Sequence, residues 1–423
     1  MRRTTLLSIA LLALVACETP TEPLAPDGAV LQSLESTESG SYVATVLPDG
    51  VLSGTTFMVV DDNGGVFGSV AHGSGTDRAA KWTADASGNV TGPVLLGTLP
   101  APFDKADQYV RSASKTGHVV LGYAESGRST AGWVWENGAM TLLPAPGNHR
   151  VYPLATNDAG VSVGQIRLTV DGVSEDWGVV WFPPYDTDPI LLPRMEGYSL
   201  NSARSITNEG LITGWVRGSG MIDVLVEWQI DTEGNVLSGP VKLEGIDQIL
   251  MSAANQDRDV VGSFHGNDRW EPYLFRSATG QHIALGSLEG YTSGSARGVN
   301  DRSADDGSVQ VVGSSWAQSR SDDRAVLWSV DASGTVAGPF DLGLPPAMVI
   351  RTRPLRTAEF ASAGAFSINS QGWAVGWSER EDRTFFATLW QPKENGGDDG
   401  GDDGGDDGED DDCRPHPRTN LCR

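Results

Sequence analysis

The sequence predicts an all-β fold, a seven-bladed β-propeller closed by an N-terminal strand, on three observations. A unit of about 50 residues occurs seven times, turn residues separate short apolar runs in every copy, and a strand missing from the last copy reappears before the first. The clearest mark of the unit is a segment ending in an aromatic at Trp82, Trp135, Trp181, Trp228, Phe275, Trp328 and Trp390. The spacings are 53, 46, 47, 47, 53 and 62 residues, so insertions fall late in the chain. Upstream of each aromatic, a turn leads into an apolar strand ending at Gly68, Gly122, Gly164, Gly214, Gly262, Gly313 or Gly376. Asn or Asp beside Gly between apolar runs is hairpin chemistry, because such turns need positive φ. Downstream comes a second hairpin and a Leu-rich strand such as MTLLP or PILLP. Copies one, four and six share a longer hairpin, with Asp85 and Gly88, Asp231 and Gly234, Asp331 and Gly334 at matching positions. Four short strands per copy cannot bury both faces alone, and radial stacking leaves only short, protected edges. An open solenoid is the competing arrangement. Closure is favoured because the seventh copy lacks a Leu-Pro strand after Trp390, while SYVATVLPDG at 41–50 carries that strand's character.

The segments outside the repeat have their own reading. Residues 1–16, MRRTTLLSIALLALVA, are two arginines and an apolar run too short to span a bilayer, which describes a secretory signal peptide. The run ends in Leu14-Val15-Ala16-Cys17, which resembles the bacterial lipobox; that resemblance implies acylation of Cys17 and a membrane anchor without a span. Glu18 at the next position favours the outer membrane by the sorting rule of enterobacteria. Residues 17–40 are then the lipidated cysteine and a flexible tether rich in Pro, Thr, Ser and Glu. Residues 41–391 are the propeller, and 392–423 a disordered Gly/Asp-rich tail with a small cysteine loop. Ten of the seventeen residues at 396–412 are acidic, without the apolar position that builds calcium-binding β-rolls. The tail therefore reads as a solvated spacer with at most weak calcium binding, and no cofactor is expected. Cys413 and Cys422 are expected to pair in an oxidising compartment, since a zinc site would need ligands beyond His416.

Composition narrows the partners. With 30 Lys and Arg against 55 Asp and Glu, the net charge of −25 disfavours nucleic acid, whose phosphates need clustered cations. Fifty-two glycines and thirteen tryptophans with only 20% charged residues suit many turns between buried strands rather than long helices. A monomer is expected.

The copy AGWVWENGAMTLLP at 131–144, with NDAGVSVG and TNEGLITG, resembles the bacterial HAF extracellular repeat, which runs from an Asn-x-x-Gly turn through an aromatic-ended strand to a Leu-Gly-x-Leu ending. The likeness spans 41–391, without the histidine that names the repeat. It implies an exported β-propeller-like protein and brings no enzymatic chemistry. The Gly-Gly doublet of Kelch repeats appears in the propeller span only at Gly64-Gly65, and the Trp-Asp ending of WD40 blades and the sialidase-type Asp box are lacking.

No HExxH or P-loop lysine motif occurs among the 423 residues. The segments between the second and third strands of each copy do collect charge. His72, Asp77 and Arg78 belong to the first such segment, His265, Asp268 and Arg269 to the fifth, Asp323 and Arg324 to the sixth, and Asp382 and Arg383 to the seventh. They are read either as Asp-Arg pairs bracing adjacent blades or as a polar ligand rim over the central channel. The function expected is a lipid-anchored envelope module binding a protein or glycan. The alternative is an extracellular polysaccharide hydrolase or lyase with rim carboxylates as acid and base, for which no nucleophile, acid and base can be assembled from the sequence. The expected location is the bacterial cell envelope, reached by general secretion.

Overall fold

The computed structural model describes residues 38–39 and 41–393, apart from 55, 74, 147–149, 171–172, 219–222, 248, 267–268, 318–321 and 351–355. Cys17, the tether up to residue 37, the acidic tail, Cys413, Cys422 and Asp268 lie outside the described residues, whereas Glu38–Ser39, read from the sequence as tether, pairs with Tyr42 and Val43. Among the described residues there is no helix, and strands assemble into seven antiparallel blades and one two-stranded sheet. Blade 1 runs outward through Val59–Val60, Gly65–His72, Thr76–Ala84 and Val90–Leu95, and blades 2 to 6 repeat this order along the chain. Blade 7 takes three strands from the C-terminal end, Phe360–Ile368, Ala374–Arg380 and Phe385–Pro392, and a fourth, Tyr42–Leu52, from the N-terminal end. The pairing places Ala44 opposite Trp390, which is the closure predicted from the missing strand. An added hairpin, Met348–Ile350 with Arg356–Ala358, accounts for the long sixth spacing.

The repeated aromatics form the seams between blades. Trp82, Trp133, Trp181, Trp228, Phe275, Trp328 and Trp390 are fully buried. In five blades the indole N–H also donates across the seam to the backbone carbonyl that follows the preceding blade's buried leucine. These bonds are Trp82 to Pro48 at 2.8 Å, Trp181 to Pro144 at 2.8 Å, Trp228 to Pro193 at 3.0 Å, Trp328 to Gly286 at 3.2 Å and Trp390 to Gly343 at 2.9 Å. The Leu-Pro ending is thereby explained: leucine fills the seam, and the next carbonyl takes the indole proton. Blade 2 departs from the pattern, since Trp133 rather than the repeat aromatic Trp135 is the fully buried ring.

The conserved spacing of glycine at the second strand has an equally local cause. In blades 2 to 7 the innermost strand carries a β-bulge, with Arg111, Leu154, Arg204, Ser252, Arg297 and Phe366 as the extra, unpaired residues. Two residues before each bulge the backbone carbonyl presses onto Gly122, Gly164, Gly214, Gly262, Gly313 or Gly376, and a Cβ at any of these would overlap that oxygen. Glycine permits the bulge, and the bulge turns its extra side chain toward the propeller axis. Blade 1 has no bulge, and Gly68 meets the Met58 side chain instead.

The long hairpins of blades 1, 4 and 6 share one turn. The carboxylates of Asp85, Asp231 and Asp331 accept from the backbone N–H four residues on, at 2.9, 2.7 and 2.9 Å, and Gly88, Gly234 and Gly334 supply the positive φ.

Candidate functional site

The seven innermost strands enclose a central channel, and its two mouths differ. At one mouth the turns between first and second strands form a ring of side-chain-to-backbone hydrogen bonds. The N–H of Lys115 donates to Asp158, that of Asp158 to Asn208, that of Asn208 to Gln256, that of Gln256 to Asp301 and that of Ser370 to Asp62, at 2.7 to 3.0 Å. An ion pair between Lys115 of blade 2 and Asp301 of blade 6 spans this mouth and narrows it. The channel space behind the ring amounts to about 240 Å³.

The other mouth lies under the loops joining second and third strands. There a cavity of about 350 Å³ is walled by Phe57, Trp316, Phe366 and Trp377, with Arg297 and Asp323 beside them. Phe57, Arg297 and Phe366 belong to both spaces, so the cavity leads into the channel.

At the junction stand three arginines from alternate blades, Arg111, Arg204 and Arg297, all at bulge positions. Arg111 lies 3.7 Å over the ring of Phe57, which stacks on Phe366 at 4.9 Å, and Arg297 lies 5.3 Å from Phe366 on the same wall. Arg204 leans toward Trp215 at 5.8 Å. Apart from these ring contacts, no hydrogen bond or ion pair joins any of the three to a described residue, and Nε of Arg204 is buried without a partner. The three side chains are half-buried. Burial pushes the Arg111 guanidinium down to about 10, and the charges of Arg204 and Arg297 push the same way. Burial also lowers Arg204 and Arg297, opposed at Arg204 by Asp223 and at Arg297 by Asp323.

Of the described residues singled out from the sequence, His72, Asp77, Arg78, His265, Arg269 and Arg324 lie within the ends of the second and third strands rather than on loops, and Asp323, Asp382 and Arg383 lie on the connections between those strands. His72 ends its strand exposed to solvent. Asp77 is buried; its carboxylate accepts from the Ser53 hydroxyl, and its N–H donates to Asp107 at 2.9 Å. Arg78 donates to the carbonyls of Ala106 and Asp104, tying blade 1 to the segment that begins blade 2. His265 packs edge-on against Trp270 at 5.0 Å, and Arg269 pairs with Glu271 at 2.6 Å. Arg324 donates to the carbonyls of Asp322, Asp323 and Ala361. Asp382 is held by Arg380 through two bonds of 3.0 and 2.5 Å, which bring its carboxyl down to about 2, and Arg383 pairs with Glu379 at 3.1 Å. These groups brace loops and seams; of the described ones, Asp323 is the residue that reaches the cavity wall. Among the described residues no three His, Cys, Asp or Glu side chains cluster in a way that could hold a metal ion.

The channel arginines were not singled out from the sequence, although a signal exists. Arg111, Arg204 and Arg297 each stand three residues before the residue that opens the inner turn, Ser114, Thr207 and Asn300, in every second repeat.

No family model matches this chain, and no curated protein matches it. Solved structures share its fold. A puromycin hydrolase is 12% identical with a TM-score of 0.50, covering 78% of this chain and 50% of that one. Trypanosoma rangeli sialidase is 10% identical with a TM-score of 0.39, over 87% and 60%. The β-propeller domain of Myceliophteria thermophila Cps50 (Swd1) is 10% identical with a TM-score of 0.40, over 82% and 100%. The chain spans about half the length of the puromycin hydrolase, and at these identities the likeness is one of fold alone.

Proposed function

We propose that this protein is a lipid-anchored binding module of the bacterial cell envelope, of the HAF-repeat kind, held to the outer membrane through Cys17 and presenting its propeller to a protein segment or glycan. The observation that carries this reading is the aromatic-walled cavity of about 350 Å³ at the mouth formed by the second-to-third-strand loops. Concave sites of this size, in which aromatic walls stand beside a few polar groups, are where protein scaffolds seat ligands. Aromatic faces suit both the apolar face of a sugar ring and an apolar peptide side chain. Binding is favoured over hydrolysis by the state of the rim carboxylates. Most glycosidases set two carboxyl groups about one bond, whereas Asp77 is bound by Ser53 and Asp382 by Arg380.

The test is thermal unfolding of the detergent-solubilised lipoprotein across a panel of envelope glycans and secreted peptides. A ligand of the native state raises the midpoint by mass action. One ligand class should do so, and Trp316→Ala should abolish the shift while leaving the ligand-free midpoint nearly in place. A panel without any shift would move the protein to the class of spacers.

A further inference from the structure

We infer that the channel holds one acid group of a small organic anion, gripped by Arg111, Arg204 and Arg297, while the flat or weakly polar body of that molecule fills the cavity walled by Phe57, Trp316, Phe366 and Trp377. The inference rests on the binding-module reading and gives its ligand a chemical class.

The fold does not demand arginine at these positions. The same bulge carries Leu154 in blade 3, Ser252 in blade 5 and Phe366 in blade 7, so an apolar or small residue satisfies the backbone equally well. Placing three cations there is costly, because they leave bulk water and repel one another. The ring contacts and the more distant charges of Asp223 and Asp323 offset only part of that cost, since among the described residues no carboxylate makes a hydrogen bond or ion pair with any of the three. Asp223, which acts on Arg204, is engaged instead by Arg217 through bonds of 2.5 and 2.8 Å. In a chain with an excess of 25 acidic side chains, partners for arginine are abundant, and their lack at this one layer leaves the donors for something else.

Geometry indicates what that is. A guanidinium lying face-on to an aromatic ring, as Arg111 lies on Phe57, keeps its N–H groups in the plane and directed past the ring edge. Donors converging from blades 2, 4 and 6 suit a group with several acceptor oxygens: carboxylate, phosphate or sulfonate. The charge around the site selects for a single acid group. Asp62, Asp158 and Asp301 line the turn mouth and Asp323 the cavity, so a polyanion would meet carboxylates on both sides of the arginine layer. With Lys115 and Asp301 bridging the turn mouth, the wider approach is through the aromatic cavity, and the acid group arrives with its body still among the rings.

The experiment is titration calorimetry and thermal unfolding of the solubilised full chain at low ionic strength. The probes are benzoate and glucuronate, their neutral counterparts benzyl alcohol and glucose, and inorganic phosphate. At least one organic acid should bind one to one and raise the midpoint, with its neutral counterpart inert. Arg204→Gln and Arg297→Gln should each weaken binding at least ~10-fold. Both variants should also unfold at a higher temperature than the parent when no ligand is present, because each removes an unpaired, desolvated charge; arginines that merely hold the fold together would give a lower one. Benzoate and glucuronate separate an aromatic body from a saccharide. Phosphate binding without either organic acid would overturn the assignment of an organic ligand. Neutral counterparts that bind as well as the acids, or arginine variants that bind as the parent does, would overturn the anion site and leave the binding module standing. Silence from every acid and from phosphate, with variants no more stable than the parent, would overturn it as well; silence from the glycan and peptide panel too would remove the binding reading.

Discussion

The indole nitrogen of Trp181 shows how one atom turns a repeat into a ring. Its ring is buried between blades 2 and 3, and its N–H is committed to the Pro144 carbonyl of the preceding blade. Replacing it with phenylalanine keeps most of the apolar contact but removes the donor and strands the carbonyl in a seam. Trp181→Phe should therefore cost about 1 to 3 kcal/mol, read as a lower denaturation midpoint with an unchanged denaturant slope. An undiminished midpoint would mean that water replaces the indole freely. The aromatic position was legible because it recurs in every copy; the hydrogen bond was not, because its acceptor belongs to another copy and depends on how blades align. Blade 2 marks the limit of reading by period, since the repeat pointed to Trp135 and packing chose Trp133. The charged loops carry the same lesson. Recurrent Asp-Arg steps stood out in the sequence, yet Arg383 pairs with Glu379 and Asp382 with Arg380, because both residues sit on the turn between Ala374–Arg380 and Phe385–Pro392 and reach back to the end of the strand before it.

At the scale of the element, the bulge links an apparently structural glycine to the channel. The glycine-ended strand was legible as a strand, and its terminal glycine as a recurring mark, but its reason is the carbonyl of a neighbouring strand pressed against it. Alternation alone would have directed the arginines by a regular pleat; the extra residue resets the register and aims Arg204 along the axis. Gly214→Ala places a methyl group on the Ser202 carbonyl and must flatten or displace the bulge. A loss of about 1 to 3 kcal/mol is expected, as for other overpacked sites. If the bulge is what positions Arg204, the same change should weaken anion binding beyond the loss of stability. Gly68→Ala is the control, because the contact there is the flexible end of Met58 at 3.1 Å; equal binding losses in both variants would separate the bulge from the site.

At the scale of the whole molecule, stability depends on a strand far from the rest of its blade in sequence. Tyr42–Leu52 pairs along Phe385–Pro392, and an irregular stretch between Val46 and Val51 swings Leu47 and Pro48 toward blade 1. Leu47 is fully buried there, worth about 1.5 to 3 kcal/mol by its area, and the Pro48 carbonyl takes the Trp82 proton. One segment thus completes blade 7 and latches blade 1, so its removal opens two structures at once. A chain lacking residues 41–52 should unfold at a markedly lower temperature and over a broader range, whereas one lacking residues 18–37, which the sequence reads as tether, should unfold as the parent does. A peptide spanning residues 41–52, added in trans, should restore the midpoint of the shortened chain in proportion to the logarithm of its concentration, as strand addition to an open edge requires. A shortened chain that keeps its midpoint without peptide would show that the seams between blades 1 to 6 hold the ring unaided, and would return the closing strand to the role of an edge cover.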